Sequence, residues 1–171
     1  LQIFKNNPSS YIWNKTAPSD SKKATSADFG TALHTRLLEP HLFEDSILVS
    51  GTKGRTAQAF IDMQNKHKDK IVLTKDERDQ IEIMSQSANC DPMFNKILQM
   101  KGDCEASIFV DDPMTGLRLK IRPDKIVAGK HQPLLADVKS SADLDKWRAD
   151  KTWLNPLFDL GYGFTAAYYL Y

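Results

Sequence analysis

The sequence has little of what marks secreted, membrane-spanning or disordered proteins. It contains two cysteines, Cys90 and Cys104, which are too few for a disulfide framework and lack the spacing of a metal site. No apolar run approaches the roughly 18 residues of a membrane span. Repeats and low-complexity tracts are absent, and 41% hydrophobic and 26% charged residues are ordinary for a globular domain. These absences predict a reduced, cytoplasmic protein that does not associate with a membrane.

Charge is nearly balanced, since the chain has 23 basic and 22 acidic residues and a net charge of +1. This balance excludes a histone-like polycation but not a DNA enzyme, whose basic residues need only line one groove. A chain of 171 residues fits one domain, which we predict over residues 1–171. Because the chain starts at Leu1 and ends in an apolar aromatic run at Tyr171, we expect a trimmed or processed N-terminus and further chain after Tyr171.

Helical periodicity dominates the first part of the chain. We predict a polar loop over residues 18–25 and then a helix over 26–39, capped by Ser26 and ended by Pro40. Thr74 and Glu77 form a capping box that opens another helix. Phe29, Leu33 and Leu37 make the apolar stripe of the helix at 26–39. Further helices are predicted at 8–13, 55–66, 92–100 and 142–149, and a last one reaches Tyr171.

The periodicity becomes that of strands after residue 104. Strands are predicted at 70–73, 105–110, 117–122, 125–128 and 134–139, the last four joined as an antiparallel meander around the turn segment Asp-Pro-Met-Thr-Gly at 112–116. In the strand at 117–122, apolar residues alternate with Arg118, Lys120 and Arg122. That basic face either follows a DNA backbone or is an ordinary solvated face. The fold class is therefore α+β, with a mainly antiparallel twisted sheet flanked by helices.

Three charged residues carry the clearest chemical signal. Asp137 and Lys139 are two residues apart on a predicted strand, so they project from one face, and Asp124 begins the adjoining strand. Facing aspartates repel unless a cation lies between them, and Mg²⁺, with Mn²⁺ as the alternative, suits such oxygen ligands. Bound metal activates a water, and Lys139 can orient or deprotonate that water. The alternative is a surface ion pair at a strand end, which is the usual origin of a bare D-x-K tripeptide.

His34, Glu105 and the aromatic residues of the last helix are further candidates. His34 lies beside the apolar stripe of its helix, where an imidazole can complete a shell of carboxylates. A half-buried histidine bonded to the backbone is the alternative. Glu105, near the start of its strand, either reaches the same metal or only solvates the sheet edge. Tyr162 and Tyr169 either pack in the core or offer a stacking platform for bases.

Several segments, in the same order along the chain, resemble RecE-type exonucleases (the C-terminal nuclease domain of exonuclease VIII), which belong to the PD-(D/E)xK nuclease superfamily. Phe-Gly-Thr-Ala-Leu-His at 29–34 resembles the family's histidine-bearing helix. Asp-Pro-Met-Thr-Gly at 112–116 and Arg-Pro-Asp-Lys-Ile at 122–126 are similar to its catalytic hairpin, and Asp-Val-Lys-Ser-Ser-Ala-Asp at 137–143 to its D-V-K-[ST]-[ST]-x-D motif. The opening segment at 7–13 is also similar, so the resemblance spans nearly the whole chain.

The resemblance implies a restriction-endonuclease-like PD-(D/E)xK core and a role for each matching residue. The implied metal ligands are His34, Asp124, Asp137 and the backbone carbonyl of Val138. The implied catalytic residues are Lys139, Asp137, Asp124 and Glu105. As substrate-binding residues we predict Arg122, Tyr162, Thr165 and Tyr169.

The resemblance also implies an activity and partners. The family degrades linear double-stranded DNA from 5′ ends with Mg²⁺ and without ATP, forms a ring-like homo-oligomer, and works with a single-strand annealing protein in phage-type recombination. Thr165 stands where the family usually has a glutamine that helps to hold the substrate phosphate or the water. Two alternatives to the exonuclease therefore remain: an endonuclease of the same fold, and a DNA-binding or assembly module that has lost catalysis.

Overall fold

The computed structural model describes residues 8–17, 21–129, 132–141, 145 and 161–170. The chain divides into two compact units, of which the larger runs from Ser21 to Val138 and the other combines the terminal segments Leu1–Asp20 and Lys139–Tyr171. The described residues form an α+β structure. The helix predicted at 142–149 lies outside the described residues. None of the helices described is both long enough and apolar enough to span a membrane.

Helices precede most of the strands along the chain, as the sequence predicts. The helices, in chain order, are α1 Pro8–Thr16, α2 Ser21–Leu38, α3 Pro40–Ser46, α4 Gln58–Lys66, α5 Lys75–Cys90, α6 Pro92–Gln99 and α7 Tyr162–Leu170. The strands are β1 Ile47–Val49, β2 Ile71–Leu73, β3 Gly102–Cys104, β4 Ile108–Asp111, β5 Arg118–Ile121, β6 Lys125–Val127 and β7 Leu134–Ala136. Helices α1 and α7 belong to the terminal unit, and the other elements to the larger one.

The core of the larger unit lies where α2 and α5 pack on the parallel strands β1 and β2. Its buried cluster consists of Ala32, Leu33, Leu37, Phe43, Ile47, Leu73 and Ile81. The predicted stripe of α2 is confirmed, because Leu33 and Leu37 are buried and Phe29 packs against the cluster. This packing fixes the rotation of α2, and with it the direction in which the neighbouring His34 projects.

The ends of α2 differ from the prediction. The helix begins at Ser21 rather than Ser26, so Ser26 lies inside it and is not its cap. The segment Ser-Lys-Lys-Ala-Thr at 21–25 is polar enough to suggest a loop, but it contains neither proline nor glycine, and lysine and alanine favour helix. Pro40 ends α2 as predicted and also opens α3, where a missing N–H costs nothing in the first turn.

The capping box of α5 is confirmed. Thr74 Oγ1 accepts a hydrogen bond from the backbone N–H of Glu77 at 3.2 Å, and Glu77 Oε2 accepts one from the backbone N–H of Thr74 at 2.9 Å. Arg55 donates to both Glu77 and Asp28, which ties the start of α5 to α2. The capped start therefore holds α5 against the helix that carries His34.

The strands form three small sheets in the described part of the chain, and the predicted four-stranded meander is wrong. Strands β1 and β2 pair in parallel, β4 and β5 form an antiparallel hairpin, and the third sheet has the antiparallel order β3–β6–β7. Strand β3 pairs with the edge of β6 that the meander assigned to the strand at 117–122, and Glu105, with a φ of 53°, lies between β3 and β4. The residues before Glu105 pair with β6, and those after it pair with β5.

Strand β3 has no alternating pattern from which to predict it. Gly102 lies opposite Val127, and a Cβ atom at Gly102 would overlap the carbonyl oxygen of Ile126. Glycine is therefore required at this position for the two backbones to approach. The close approach brings the end of β3, and with it Glu105, next to Asp124 at the start of β6.

A bidentate ion pair between Arg36 and Glu82 joins α2 to α5. It makes the free energy of unfolding depend on pH. Arg36 Nε and Nη2 donate to the Glu82 carboxylate at 3.0 and 2.9 Å, and these bonds hold the pKa of Glu82 below its ordinary value. Because the pKa of Glu82 is lower in the folded state, the ion pair stabilises the fold at higher pH. This contribution is lost as the pH falls through the folded-state pKa. We expect Glu82→Gln to cost about 0.5–1 kcal/mol at neutral pH and less at an acidic pH at which the Glu82 carboxyl is protonated. Urea unfolding at both pH values measures the difference, and Asp79→Asn on the same helix is the control.

Candidate metal centre

The candidate centre lies where three elements of the larger unit meet. Helix α2 supplies His34 from the edge of its buried stripe, and its side chain is 22% exposed. Glu105 directly follows β3, and Asp124 directly precedes β6. The pairing of these two strands, together with the hydrogen bond from Glu105 N to Asp124 O at 3.0 Å, keeps the two acidic residues adjacent. Residues far apart in sequence are thus brought to one place.

The three side chains converge on a common point. His34 Nδ1 lies 3.6 Å from Asp124 Oδ1 and 3.7 Å from Glu105 Oε1. One ligand atom from each of the three residues lies within 4.8 Å of the others. His34 therefore faces two carboxylates, and no hydrogen bond joins its imidazole to a backbone group within the described part of the chain. Its role as a metal ligand stays a prediction.

Asp124 is the most buried and most constrained member of the cluster, with 7% of its surface exposed. Its Oδ2 accepts a hydrogen bond from the backbone N–H of Val138, whose side chain packs against the core cluster. Because Oδ2 is bonded in this way, Oδ1 is the oxygen that faces His34. Asp124 Oδ1 is therefore directed at His34, while Oδ2 anchors the segment that follows β7.

Glu105 is held in place by Arg122. Arg122 Nη2 lies 2.9 Å from Glu105 Oε2, and Arg122 Nε donates to the backbone carbonyl of Glu105 at 3.1 Å. A non-glycine residue with a φ of 53° is strained, so it persists only where its surroundings fix it. Arg122 supplies two of these contacts and leaves Glu105 Oε1 directed at His34. The substrate-binding role predicted for Arg122 stays a prediction beside this observed contact.

We expect Arg122→Lys to weaken divalent metal binding even though it preserves the positive charge. Lysine carries a single ammonium and cannot contact both the carboxylate and the backbone carbonyl of Glu105 with a rigid fork. Contacts of this kind, which orient a metal ligand, are worth about 10–100-fold in metal affinity. Calorimetric titration with Mn²⁺ measures the change. An affinity equal to that of the unaltered protein would show that the fork does not position Glu105.

The donor atoms and the space around them fit a divalent ion. A cavity of about 460 Å³ opens over the cluster, and Gly30, Thr31, Thr35 and Glu39 contribute to its wall. For ligand distances of about 2.1 Å in an octahedral shell, adjacent donor atoms lie about 3 Å apart and opposite ones about 4.2 Å apart. His34 Nδ1 lies 3.6 and 3.7 Å from the two carboxylate oxygens, so these atoms would move closer by about 0.6–0.7 Å to hold such an ion as adjacent ligands. Two carboxylates and one imidazole form a hard donor set suited to Mg²⁺ or Mn²⁺.

Two residues beside the cluster have other partners. The Cys104 thiol donates to the carbonyl of Leu38, and burial raises its pKa, so it stays a neutral thiol and a poor ligand. Lys125, only 4% exposed, donates from Nζ to the carbonyl of Leu98 and so joins β6 to the end of α6. Lys125 helps to fix the backbone next to Asp124. Nothing in the local sequence indicates this role, because a lysine in a strand is ordinarily exposed.

The remaining predicted site residues lie beyond β7. This strand ends at Ala136 rather than at Lys139, so Asp137 and Lys139 lie beyond it and the predicted strand at 134–139 is too long. Among the described residues, the tight group of ligand atoms contains His34, Glu105 and Asp124 but not Asp137. The ligand roles of Asp137 and of the Val138 carbonyl stay predictions.

The terminal unit carries Lys139 and the predicted residues of α7. Lys139 Nζ lies 5.8 Å from the centre of the Tyr162 ring, a distance at which a ring attracts a cation. Thr165 uses its hydroxyl to donate to the carbonyl of Gly161 within the same helix turn. Tyr169 is half-buried on α7. The last helix is confirmed at 162–170, whereas the substrate roles of its residues stay predictions.

No protein-family model matches the chain, and no curated protein matches it in sequence. The chemistry of the centre is therefore inferred from its own residues: an oxygen-rich, partly buried cluster at the wall of an open cavity.

Proposed function

We propose that the chain is the catalytic core of a Mg²⁺-dependent, ATP-independent exonuclease that hydrolyses phosphodiester bonds of linear double-stranded DNA. The fold that we propose is a PD-(D/E)xK core. Its motif residues would be Asp124, which begins β6, and the pair Asp137 and Lys139, which follow β7. Digestion from 5′ ends is proposed from the resemblance to RecE-type exonucleases. The resemblance and the metal cluster support the proposal independently of one another.

One observation carries the proposal most directly: His34, Glu105 and Asp124 direct ligand atoms at one point in an open cavity. Glu105 Oε2 is paired with Arg122, whereas Glu105 Oε1 and Asp124 Oδ1 both face the His34 imidazole. Two carboxylate oxygens directed at one place favour a bound cation between them. A divalent ion would fill this role and suits phosphodiester chemistry. The cavity admits a substrate to the ligands.

The residues of the centre have distinct tasks in this reaction. When bound, Mg²⁺ would neutralise charge on the phosphate and acidify a water. Asp124, fixed by the N–H of Val138, and Glu105, fixed by Arg122, would each hold the ion through one oxygen. His34 would complete the set from α2 through Nδ1. Because Arg122, Val138 and the core packing hold these ligands before substrate arrives, the reaction requires little reorganisation.

Lys139 is the proposed catalytic lysine. Its ammonium would orient the attacking water and stabilise the negative charge that develops on the phosphate. The Tyr162 ring lies 5.8 Å from Lys139 Nζ and attracts the ammonium. Thr165, bonded to Gly161, is a weaker replacement for the glutamine of the family, so we propose a lower rate than that of a glutamine-containing relative.

The setting of the activity is proposed from the resemblance as well. We propose that the protein acts in the cytoplasm, which is consistent with free Cys90 and Cys104 in the described residues. The partners would be double-stranded DNA ends, further copies of the chain in a ring, and a single-strand annealing protein in phage-type recombination. No membrane partner is proposed.

The test is digestion of a linear duplex labelled separately at its 5′ and 3′ ends, in Mg²⁺, Mn²⁺ or EDTA. A covalently closed circle, a Lys139→Ala protein and a Lys66→Ala protein are included; Lys66 is an exposed lysine at the end of α4. We expect loss of the 5′ label first, no digestion in EDTA, an intact circle, no activity of Lys139→Ala and full activity of Lys66→Ala.

Each other result has a definite meaning. Cleavage of the circle would identify an endonuclease of the same fold. Binding of Mg²⁺ and DNA without any cleavage would identify a DNA-binding or assembly module, and Thr165→Gln would then be expected to restore activity if the missing glutamine is the cause. Cleavage that continues in EDTA would refute metal-dependent catalysis.

A further inference from the structure

The hairpin of β4 and β5 has two faces of different chemistry. Cross-strand pairing places Phe109 opposite Lys120 and Asp111 opposite Arg118. Because side chains alternate along a strand, these four residues share one side of the hairpin, which we call the Phe109 face. The other side is apolar and consists of Ile108, Val110, Leu119 and Ile121.

Two cations lie against one exposed aromatic ring on the Phe109 face. Arg118 Cζ and Lys120 Nζ are each 5.5 Å from the centre of the Phe109 ring, which belongs to a residue with 54% of its surface exposed. The ring attracts both cations without neutralising them. Phe109 therefore restrains two long basic side chains that would otherwise be mobile in solvent, and this lowers the entropy lost when they bind a ligand.

Acidic groups on this face leave the cations available. Asp111 lies 3.9 Å from Arg118, and the two side chains are 76% and 73% exposed. An ion pair so long and so exposed is weak and is screened by salt. Asp112, the other carboxylate of the turn, is buried and accepts hydrogen bonds from Met114 and Thr115. The face therefore carries two cations, Arg118 and Lys120, against one exposed carboxylate, Asp111, and is net positive.

The basic residues of this hairpin lead from the metal centre. Arg122 directly follows β5 and contacts Glu105 at 2.9 Å. Lys120 and Arg118 precede it at alternate positions of β5, and the charged groups of both turn toward the Phe109 ring. Two neighbouring cations on the strand that leads to Arg122 and Glu105 match a ligand with closely spaced negative charges, as a nucleic-acid strand has.

We propose that the Phe109 face binds the phosphate backbone of the DNA strand whose scissile bond lies at the metal centre, an inference that rests on the proposed function. Arg118 and Lys120 donate to phosphates, and the Phe109 ring packs against the sugar or base between them. Contacts of this kind position a strand without reading its sequence. An acidic protein segment would match the cations but offers no base or sugar for the ring.

The experiment measures affinity for a short labelled duplex by fluorescence anisotropy in EDTA, where no hydrolysis occurs, over a range of salt concentrations. The variants are Arg118→Ala, Lys120→Ala, Phe109→Ala and Asp111→Asn, with Lys66→Ala as the matched control. We expect Arg118→Ala and Lys120→Ala to bind several-fold more weakly and each to reduce the slope of log affinity against log salt by about 0.9. Phe109→Ala weakens binding at unchanged charge, and Asp111→Asn strengthens it.

The outcomes separate this proposal from the nuclease proposal. If Arg118→Ala and Lys120→Ala bind DNA as tightly as Lys66→Ala does, the Phe109 face is not the binding surface, whatever the nuclease assay shows. If the variants weaken binding while the unaltered protein cleaves nothing, the surface stands and the catalytic assignment fails. If polyglutamate displaces the labelled duplex as effectively as unlabelled DNA does, the face is a general anion-binding surface. The assignment to nucleic acid is then overturned. Thermal melts of each variant establish that it is folded.

Discussion

Asp124→Asn is expected to abolish both divalent metal binding and DNA hydrolysis while leaving the fold intact. Asparagine keeps the shape of the side chain and an oxygen that accepts the Val138 N–H, but it removes the negative charge from the most buried of the three ligands. Because loss of a residue that only orients a ligand costs about 10–100-fold in affinity, loss of a ligand should cost more than about 100-fold. Hydrolysis should fall at least as far.

Two measurements check this expectation. Calorimetric titration with Mn²⁺ reports affinity, and digestion of a labelled linear duplex reports activity. Asp69→Asn is the control, because Asp69 is an exposed aspartate in the loop between α4 and β2. An Asp124→Asn protein that binds Mn²⁺ as well as the Asp69→Asn protein does would refute the assignment of the cluster as a metal centre.

Ile81→Ala is expected to have the largest effect on stability. Ile81 is fully buried in the core cluster between α5 and α2, so truncation removes apolar contacts and leaves a cavity that the neighbours cannot fill. The expected cost is about 3 kcal/mol in the free energy of unfolding. This is a large part of the stability of an ordinary domain, about 5–15 kcal/mol.

The same helix provides the matched control. Ile83, two residues further along α5, is 67% exposed, so Ile83→Ala should change the free energy of unfolding by less than about 0.5 kcal/mol. Urea unfolding followed by circular dichroism gives both values. Equal losses of unfolding free energy in Ile81→Ala and Ile83→Ala would mean that α5 does not pack through the face that carries Ile81.

Local sequence signals predicted the helices well and the sheets poorly. The capping box at Thr74 is confirmed because both partners lie within one helical turn. The hairpin of β4 and β5 is likewise confirmed as a pairing, because its turn chemistry is local. The pairing of β3 with β6 was not predicted, because it depends on a contact between strands that are separated by the whole hairpin. Short strands with no alternation leave no periodic signal.

The sequence predicted which residues belong to the candidate centre better than it predicted how they are arranged. His34, Glu105 and Asp124 were each candidates from residue type and position, and the structure brings them together. The contacts that hold them are tertiary. The positive φ of Glu105 and its two bonds to Arg122 follow from the way β3 and the hairpin meet, and nothing in the local sequence specifies either.

The sequence alone determined the α+β class, the stripe of α2, the capped start of α5 and the turn of the hairpin. All of these depend on residues within a few positions of one another, whose spacing sets the side-chain direction. Tertiary structure decided that the strands after residue 101 divide between two sheets, that His34 faces two carboxylates, and that Arg122 fixes Glu105. These features depend on contacts between segments that are far apart in the chain. Tertiary packing determines such contacts, and local propensity does not.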